Sequence, residues 1–129
     1  MIYEQRVIVG DTDQMGIVYY ANYFRYFEAG RAAYLRELGK NQQAIADWGV
    51  SLPVIEAHCH YRRSAVNEDL LQVHTSLCDI RGASFRFAYE IKRGEELLVD
   101  GFTVHACTNA QGRARRMPPQ FRELISRAL

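Results

Sequence analysis

The sequence predicts an α+β domain in which one long central helix packs against a curved antiparallel sheet of about five strands. Three observations point to it. Apolar residues recur at helical spacing over one long stretch near the N-terminus. A string of segments with strand character follows. The connections between those segments are short, which favours antiparallel pairing because parallel neighbours need long crossovers. At 129 residues the chain has the size of one domain, residues 1–129, since a single core usually serves roughly 100–200 residues.

Taken in order, Tyr3 to Val9 alternates partly and carries Val7, Ile8 and Val9, which reads as a first strand. Gly10 to Gly16, with two glycines and two short acids, interrupts it as a structured loop. From Tyr20 to Leu38 a stripe of Tyr20, Tyr23, Phe24, Phe27, Tyr34, Leu35 and Leu38 marks the helix. Gly39 is its stop, and Arg36 in the last turn suits the helix dipole. Gln42 to Trp48 fits a short second helix. Strands are expected at Leu52 to Arg62, Leu70 to Ile80, Ser84 to Lys92 and Leu97 to Thr108. Phe85, Phe87, Tyr89 and Ile91 share one face of the third of these, and Gly101 marks a bulge or bend in the fourth. Pro118-Pro119 precedes a closing helix from Gln120 to Arg127. One helix on one sheet leaves the other face and the edges uncovered, and self-association as a two-fold dimer is the usual remedy.

Composition narrows the function classes. Hydrophobic residues are 48% and charged residues 24%, a globular balance with enough apolar material for a core. Sixteen Lys and Arg stand against fifteen Asp and Glu, so no global field recruits nucleic acid or an acidic membrane. No apolar run approaches the ~20 residues of a membrane span. Cys59, Cys78 and Cys107 lack metal-type spacing and read as reduced thiols, which places the chain in the cytoplasm.

The chemistry-bearing segment is Gly10-Asp11-Thr12-Asp13-Gln14-Met15-Gly16-Ile17-Val18-Tyr19-Tyr20-Ala21-Asn22-Tyr23. It sets the carboxylate of Asp13 on a glycine-flanked loop shortly before a helix start. The first N–H groups of a helix have no internal partner and sit at its positive end. They can hold a developing oxyanion while a carboxylate attacks or activates water. The same spacing also fits two short acids that simply cap the loop and the helix.

That segment resembles the hot-dog-fold acyl-CoA thioesterases of the 4-hydroxybenzoyl-CoA thioesterase type, and it is similar to the Tol-Pal-associated acyl-CoA thioesterases. The resemblance continues through Tyr61, Asn67-Glu68-Asp69-Leu70, Arg81-Gly82-Ala83-Ser84-Phe85 and Gly112-Arg113-Ala114-Arg115. It implies a hot-dog domain that hydrolyses an acyl-CoA, needs no cofactor or metal, and forms a homodimer, or a dimer of dimers, with its site at the subunit interface. It implies that Asp13, not Asp11, is the catalytic carboxylate, as nucleophile or general base, and that the Tyr20 N–H polarises the carbonyl. It implies that Gly16 lets the loop approach the thioester, and that Arg81, Arg113 and Arg115 contact coenzyme A. The Tol-Pal-associated branch usually carries His where Tyr20 stands. Where the family often has a second basic residue after Arg81, this chain has Gly82.

Other candidates have plainer readings beside the chemical one. Glu28 and Arg31, three apart, pair on the helix or turn Glu28 toward an acyl pocket. His58 and His60 share one strand face but lack a third ligand. Two rival functions remain on the same fold. A hydratase needs a His near the acid, and Gln14 to Tyr20 contain none. A non-catalytic acyl-CoA-binding or partner-binding module would leave Asp13 idle.

Overall fold

Helix α1 (Asn22–Glu37) is the element around which the others are arranged. In this computed structural model, which describes residues 1–40 and 42–127, it lies against β1 (Ile2–Arg6) and β3 (Leu70–Cys78). Its end follows from sequence. Gly39 adopts φ +81°, its N–H bonds to the Arg36 carbonyl at 2.9 Å, and the Lys40 N–H bonds to that of Leu35 at 2.9 Å. This is a Schellman closure, which glycine adopts without a Cβ penalty. The buried face is Tyr23, Tyr26, Phe27, Gly30 and Tyr34, a slight rotation from the expected stripe. Tyr20 falls outside the helix and is 60% exposed, and Tyr26 takes its place in the interior. The face is centred on Gly30 because only a residue without a Cβ fits there. A Cβ at Gly30 would stand 2.7 Å from Thr75 Oγ1 and 2.8 Å from Val73 Cγ1.

The remaining strands are β2 (Val54–Tyr61), β4 (Ser84–Arg93) and β5 (Glu96–Ala106), and the sheet order β1-β3-β4-β5-β2 is antiparallel throughout. The expected architecture is therefore the observed one. The first strand is shorter than its alternation, because the chain tightens into a 3-10 turn at Val9–Asp11. Helix α2 (Gln42–Ala46) stops two residues before Trp48 in a turn, and α3 runs Pro119–Arg127. Gly101 does not mark a shift in register. The irregularities lie between Ile91 and Lys92 and between Val54 and Glu56. Glycine stands at 101 because a Cβ would run into the His58 carbonyl and reach 3.0 Å from the Phe27 ring.

The core fills the space between α1 and the inner sheet face. Leu71, Val73 and Leu77 of β3 and Phe85, Phe87, Tyr89 and Ile91 of β4 point inward, and Phe27 lies flat on Tyr89 with centroids 4.2 Å apart. Cys59, Cys78 and Cys107 are free thiols, and burial pushes Cys59 up to about 11. Among the described residues no helix is long and apolar enough to cross a membrane.

One polar chain crosses this core. His105 Nδ1 lies 3.0 Å from the Leu52 carbonyl, which can only accept, so Nδ1 carries the hydrogen. Burial holds the imidazole below its ordinary pKa and so neutral, which leaves Nε2 to accept from the Thr103 hydroxyl at 2.8 Å. Thr103 in turn accepts from Tyr89 at 2.7 Å, and Tyr89 accepts from Arg31 Nη1 at 3.5 Å.

Two outcomes follow. In an exposed helix, Gly→Ala gains up to about 1 kcal/mol of propensity. At Gly30 overpacking against β3 wins, and Gly30→Ala should lower unfolding stability by about 1–3 kcal/mol in urea titrations. The second concerns acid. The folded-state pKa of His105 lies below the unfolded value of 6.5, so the unfolded chain takes up the proton first as pH falls. Stability present above pH 6.5 should decline below it, and His105→Gln should flatten that slope in melting curves. The depressed Asp69 carboxyl acts in a separate window, below 3.8. Burial pushes it up, but the Val66 N–H and Arg93 outweigh that.

Candidate active site

The loop before α1 is a small hairpin. Thr12 bridges Val18, the Asp13 N–H donates to the Ile17 carbonyl at 2.9 Å, and the Gly16 N–H donates to the Asp13 carbonyl at 3.0 Å. The tip turns through Gly16 at φ +79°, and that conformation, rather than crowding, calls for glycine, since a Cβ there would meet nothing. Ile17 bridges Val66, which ties the hairpin to the β2–β3 connection. At the tip Asp13 is half-buried. Its Oδ1 accepts the Met15 N–H at 2.8 Å, while Oδ2 takes no hydrogen bond among the described residues. One oxygen is thus tethered and the other is free.

Tyr20 lies on the returning limb three residues beyond Ile17, the partner of Asp13, a span on the order of 10 Å of extended chain. Its peptide is oriented by its neighbours. The Tyr19 carbonyl accepts the Asn22 N–H at 2.8 Å, into the first turn of the helix. In a trans peptide the next N–H points the opposite way, so the Tyr20 N–H faces outward. No partner among the described residues takes it up. The Tyr61 hydroxyl donates to the Tyr20 carbonyl at 3.0 Å and fixes the following peptide. The Tyr19 phenol is raised above 10, first by its hydrogen bond with Tyr20, whose ring centroid lies 4.7 Å away.

Asp11 belongs to a different class. It is only 5% exposed, its Oδ2 accepts from the Tyr26 hydroxyl at 2.9 Å and the Ile8 N–H at 3.3 Å, and Arg25 Nη1 lies 3.5 Å from Oδ1. Two of its partners lie on α1, 14 and 15 residues away, and no reading of residue types alone separates it from Asp13. Glu28 is turned to solvent with a 71% exposed side chain, 3.7 Å from Arg31. It borders a cavity of about 310 Å³ beside Asp11 and Arg25. His58 stacks on Phe102, His60 lies 3.9 Å from Asp100, and His74 shares their outer sheet groove. His105 is in the core. Among the described residues no group of three His, Cys, Asp or Glu could hold a metal ion.

The arginines gather at the other end of the sheet. Arg81 lies in the β3–β4 turn, where Arg122 Nη1 donates to its carbonyl at 2.6 Å. Arg115 and Arg116 alternate along an extended segment and diverge. Arg115 Nη1 lies 3.9 Å from where a Cβ at Gly49 would stand, and Arg116 Nη1 3.4 Å from where one at Gly82 would. The Arg116 guanidinium therefore occupies the room beside Arg81 that a side chain at 82 would need. Arg113 follows the turn closed by Gly112. Arg25, Arg31, Arg62, Arg63, Arg86 and Arg93 all pair with carboxylates. Among the described residues Arg81, Arg113, Arg115, Arg116 and Arg122 pair with none. Sequence reading passed over Arg122, whose only signal is a basic residue on the short closing helix.

Comparison with known proteins bears on the family and the fold. Residues 7–125 match the family described as the thioesterase-like superfamily. The acyl-CoA thioesterase YbgC of Haemophilus influenzae is 32% identical over 105 residues, covering 81% of this chain and 77% of that one. The solved structure of the hypothetical protein TT1821 from Thermus thermophilus superposes with a TM-score of 0.94 at 30% identity, covering 99% of this chain and 98% of that one. A probable thioesterase from Bartonella henselae does so at 0.87 and 33% identity, covering 92% and 98%. By its hot-dog architecture and the match over residues 7–125, the chain belongs to the thioesterase-like superfamily and is a thioester hydrolase.

Proposed function

We propose that the chain acts as a single hot-dog domain in the cytoplasm and hydrolyses a short-chain or aromatic acyl-CoA to free acid and coenzyme A, with Asp13 as the reacting carboxylate. The observation that supports this reading is that Asp13 Oδ2 and the Tyr20 N–H, on the two limbs of one hairpin before α1, have no hydrogen-bond partner among the described residues. The amide receives the carbonyl oxygen and stabilises the charge that grows on it, in a site where such donors are worth most. Oδ2 either attacks the carbonyl carbon or takes a proton from the attacking water. In both routes the C–S bond breaks with its electron pair leaving on sulfur, and the thiolate collects a proton. In the nucleophilic route the attack leaves an acyl–Asp13 anhydride, which water cleaves to the free acid and the Asp13 carboxylate, releasing that proton. In the water route that proton returns from Asp13. The alternative of a hydratase has little support, because none of His58, His60, His74 or His105 lies on the loop.

The position of the arginines supports a two-fold dimer. Asp13 sits at the sheet end that carries Tyr61 and Val66, whereas Arg113 and Arg115 flank Ala114, which bridges Thr108, itself paired with Ser51 just before β2. The two ends are about eight residues of strand apart, roughly 26 Å. Strand β2 is an edge, with Val54, Ile55 and Tyr61 exposed. Antiparallel pairing of β2 with its copy sets the Tyr61 end of one protomer beside the Val54 end of the other. A thioester at Asp13 then extends its phosphates toward the partner's arginines, which suit phosphate by their forked donors.

Asp13→Asn should retain its melting temperature and lose about 10²–10⁴ in kcat toward acyl-CoA; unchanged turnover would reject the assignment. A panel of short, long and aromatic acyl-CoAs identifies the acyl class, and single turnover in ¹⁸O-water separates the two routes. Loss of charged phosphate contacts in Arg113→Ala/Arg115→Ala should raise KM about tenfold with kcat kept. Co-assembly of this variant with Asp13→Asn rebuilds one intact site per mixed dimer, with wild-type KM. A raised KM in the mixed dimer would mean that each chain serves its own substrate.

A further inference from the structure

We infer that Asp11 is a positioning residue for hydrolysis: it sets the distance and angle between the Asp13 carboxylate and the Tyr20 amide, without touching substrate. This inference rests on the roles given above to Asp13 and Tyr20.

Both halves of Asp11 are engaged, and they hold different parts of the site. Its backbone carbonyl accepts the Tyr19 N–H at 2.9 Å and Asn22 Nδ2 at 2.9 Å. Those bonds fix the residue before Tyr20 and the first residue of α1. Its carboxylate accepts the Tyr26 hydroxyl, one turn further into the helix, and the Ile8 N–H on the incoming chain. Arg25 stands over the remaining oxygen at 3.5 Å. Two residues later the same chain presents Asp13. Asp11 is therefore the joint between the limb that carries the reacting carboxylate and the helix end that carries the amide. The Ile17–Val66 bridge holds the returning limb of this loop, and Asp11 holds the limb that carries Asp13.

The burial of Asp11 sharpens the point. A carboxylate only 5% exposed is tolerated because its acceptors are filled by a phenol, an amide and a guanidinium. A capping role would need one of these. Its three partners come from two parts of the chain, Ile8 just after β1 and the adjacent Arg25 and Tyr26 of α1, and Asp11 holds those parts to one another.

The test uses the full chain and reads kcat and KM separately. Displacing a reacting group by about 1 Å costs on the order of 10²-fold in rate. Asp11→Ala should therefore lose about 100-fold in kcat with KM within threefold of wild type. Asp11→Asn keeps an oxygen that accepts from Tyr26 and Ile8, and should recover to within about tenfold. Combined with Asp13→Asn, Asp11→Ala should add no further loss, because the two act as one unit. An Asp11→Ala protein that melts lower but keeps its kcat would show a purely structural residue and overturn the inference. So would a loss that multiplies fully with that of Asp13→Asn. Should Asp11→Ala fail to fold, Tyr26→Phe and Asn22→Ala each remove one bond of the joint and should lower kcat about tenfold; unchanged kcat in both would overturn it equally. The two proposals fail separately. A fully active Asp13→Asn rejects the carboxylate itself, whereas an inactive Asp13→Asn beside a wild-type kcat in Asp11→Ala rejects only the joint.

Discussion

The close seating of α1 on β3 is the constraint on which the rest depends. Gly30 lets the helix backbone approach Val73 and Thr75, and Phe27 can then lie flat on Tyr89 in the centre of the sheet. That contact sets where the helix begins relative to the strands, and so where its unpaired amides fall. With a bulkier residue at 30 the helix would ride higher, and the hairpin of Asp13, tied to the β2–β3 connection through Val66, would no longer meet its start. The start of the helix is thus set by packing about two turns further along it, in a region without chemistry of its own.

Most of this architecture was legible in the order of residues. Periodicity located every helix and strand to within a few residues, because alternation and helical stripes report burial directly. The boundaries that moved did so where local and long-range demands differ. Val7 to Val9 looks like strand, yet the chain there must turn so that Asp11 can meet Tyr26. Tyr20 fits the helical stripe, yet it is spent on the turn that aims its N–H outward. Gly101 resembles a bulge in sequence and is a point of close approach in space. The resemblance marks Asp13 and not Asp11 as the reacting acid, whereas residue types alone do not divide the two; in the structure their burial and their partners do.

The arginines show the limit from the other side. Arg81, Arg113 and Arg115 are marked by motif, but Arg116 and Arg122 join them through side-chain directions that no spacing encodes. Nor does spacing reveal that the group lies at the opposite end of the sheet from Asp13. That is a property of register, which accumulates over β3, β4 and β5. The division among the arginines is electrostatic as well as spatial. Arg25, Arg31, Arg62, Arg86 and Arg93 are paired with carboxylates, whereas the group near the β3–β4 turn pairs with none among the described residues.

The hydrogen-bond chain from Arg31 through Tyr89 and Thr103 to His105 runs in one direction, since the Leu52 carbonyl at its end can only receive. Each hydroxyl both gives and takes, so no member is replaceable alone: an apolar residue at any step strands a proton or a lone pair in hydrocarbon. Over evolutionary time positions 89, 103 and 105 are therefore bound to change together, as a set exchanged for another set, while the aromatic residues around them drift one by one.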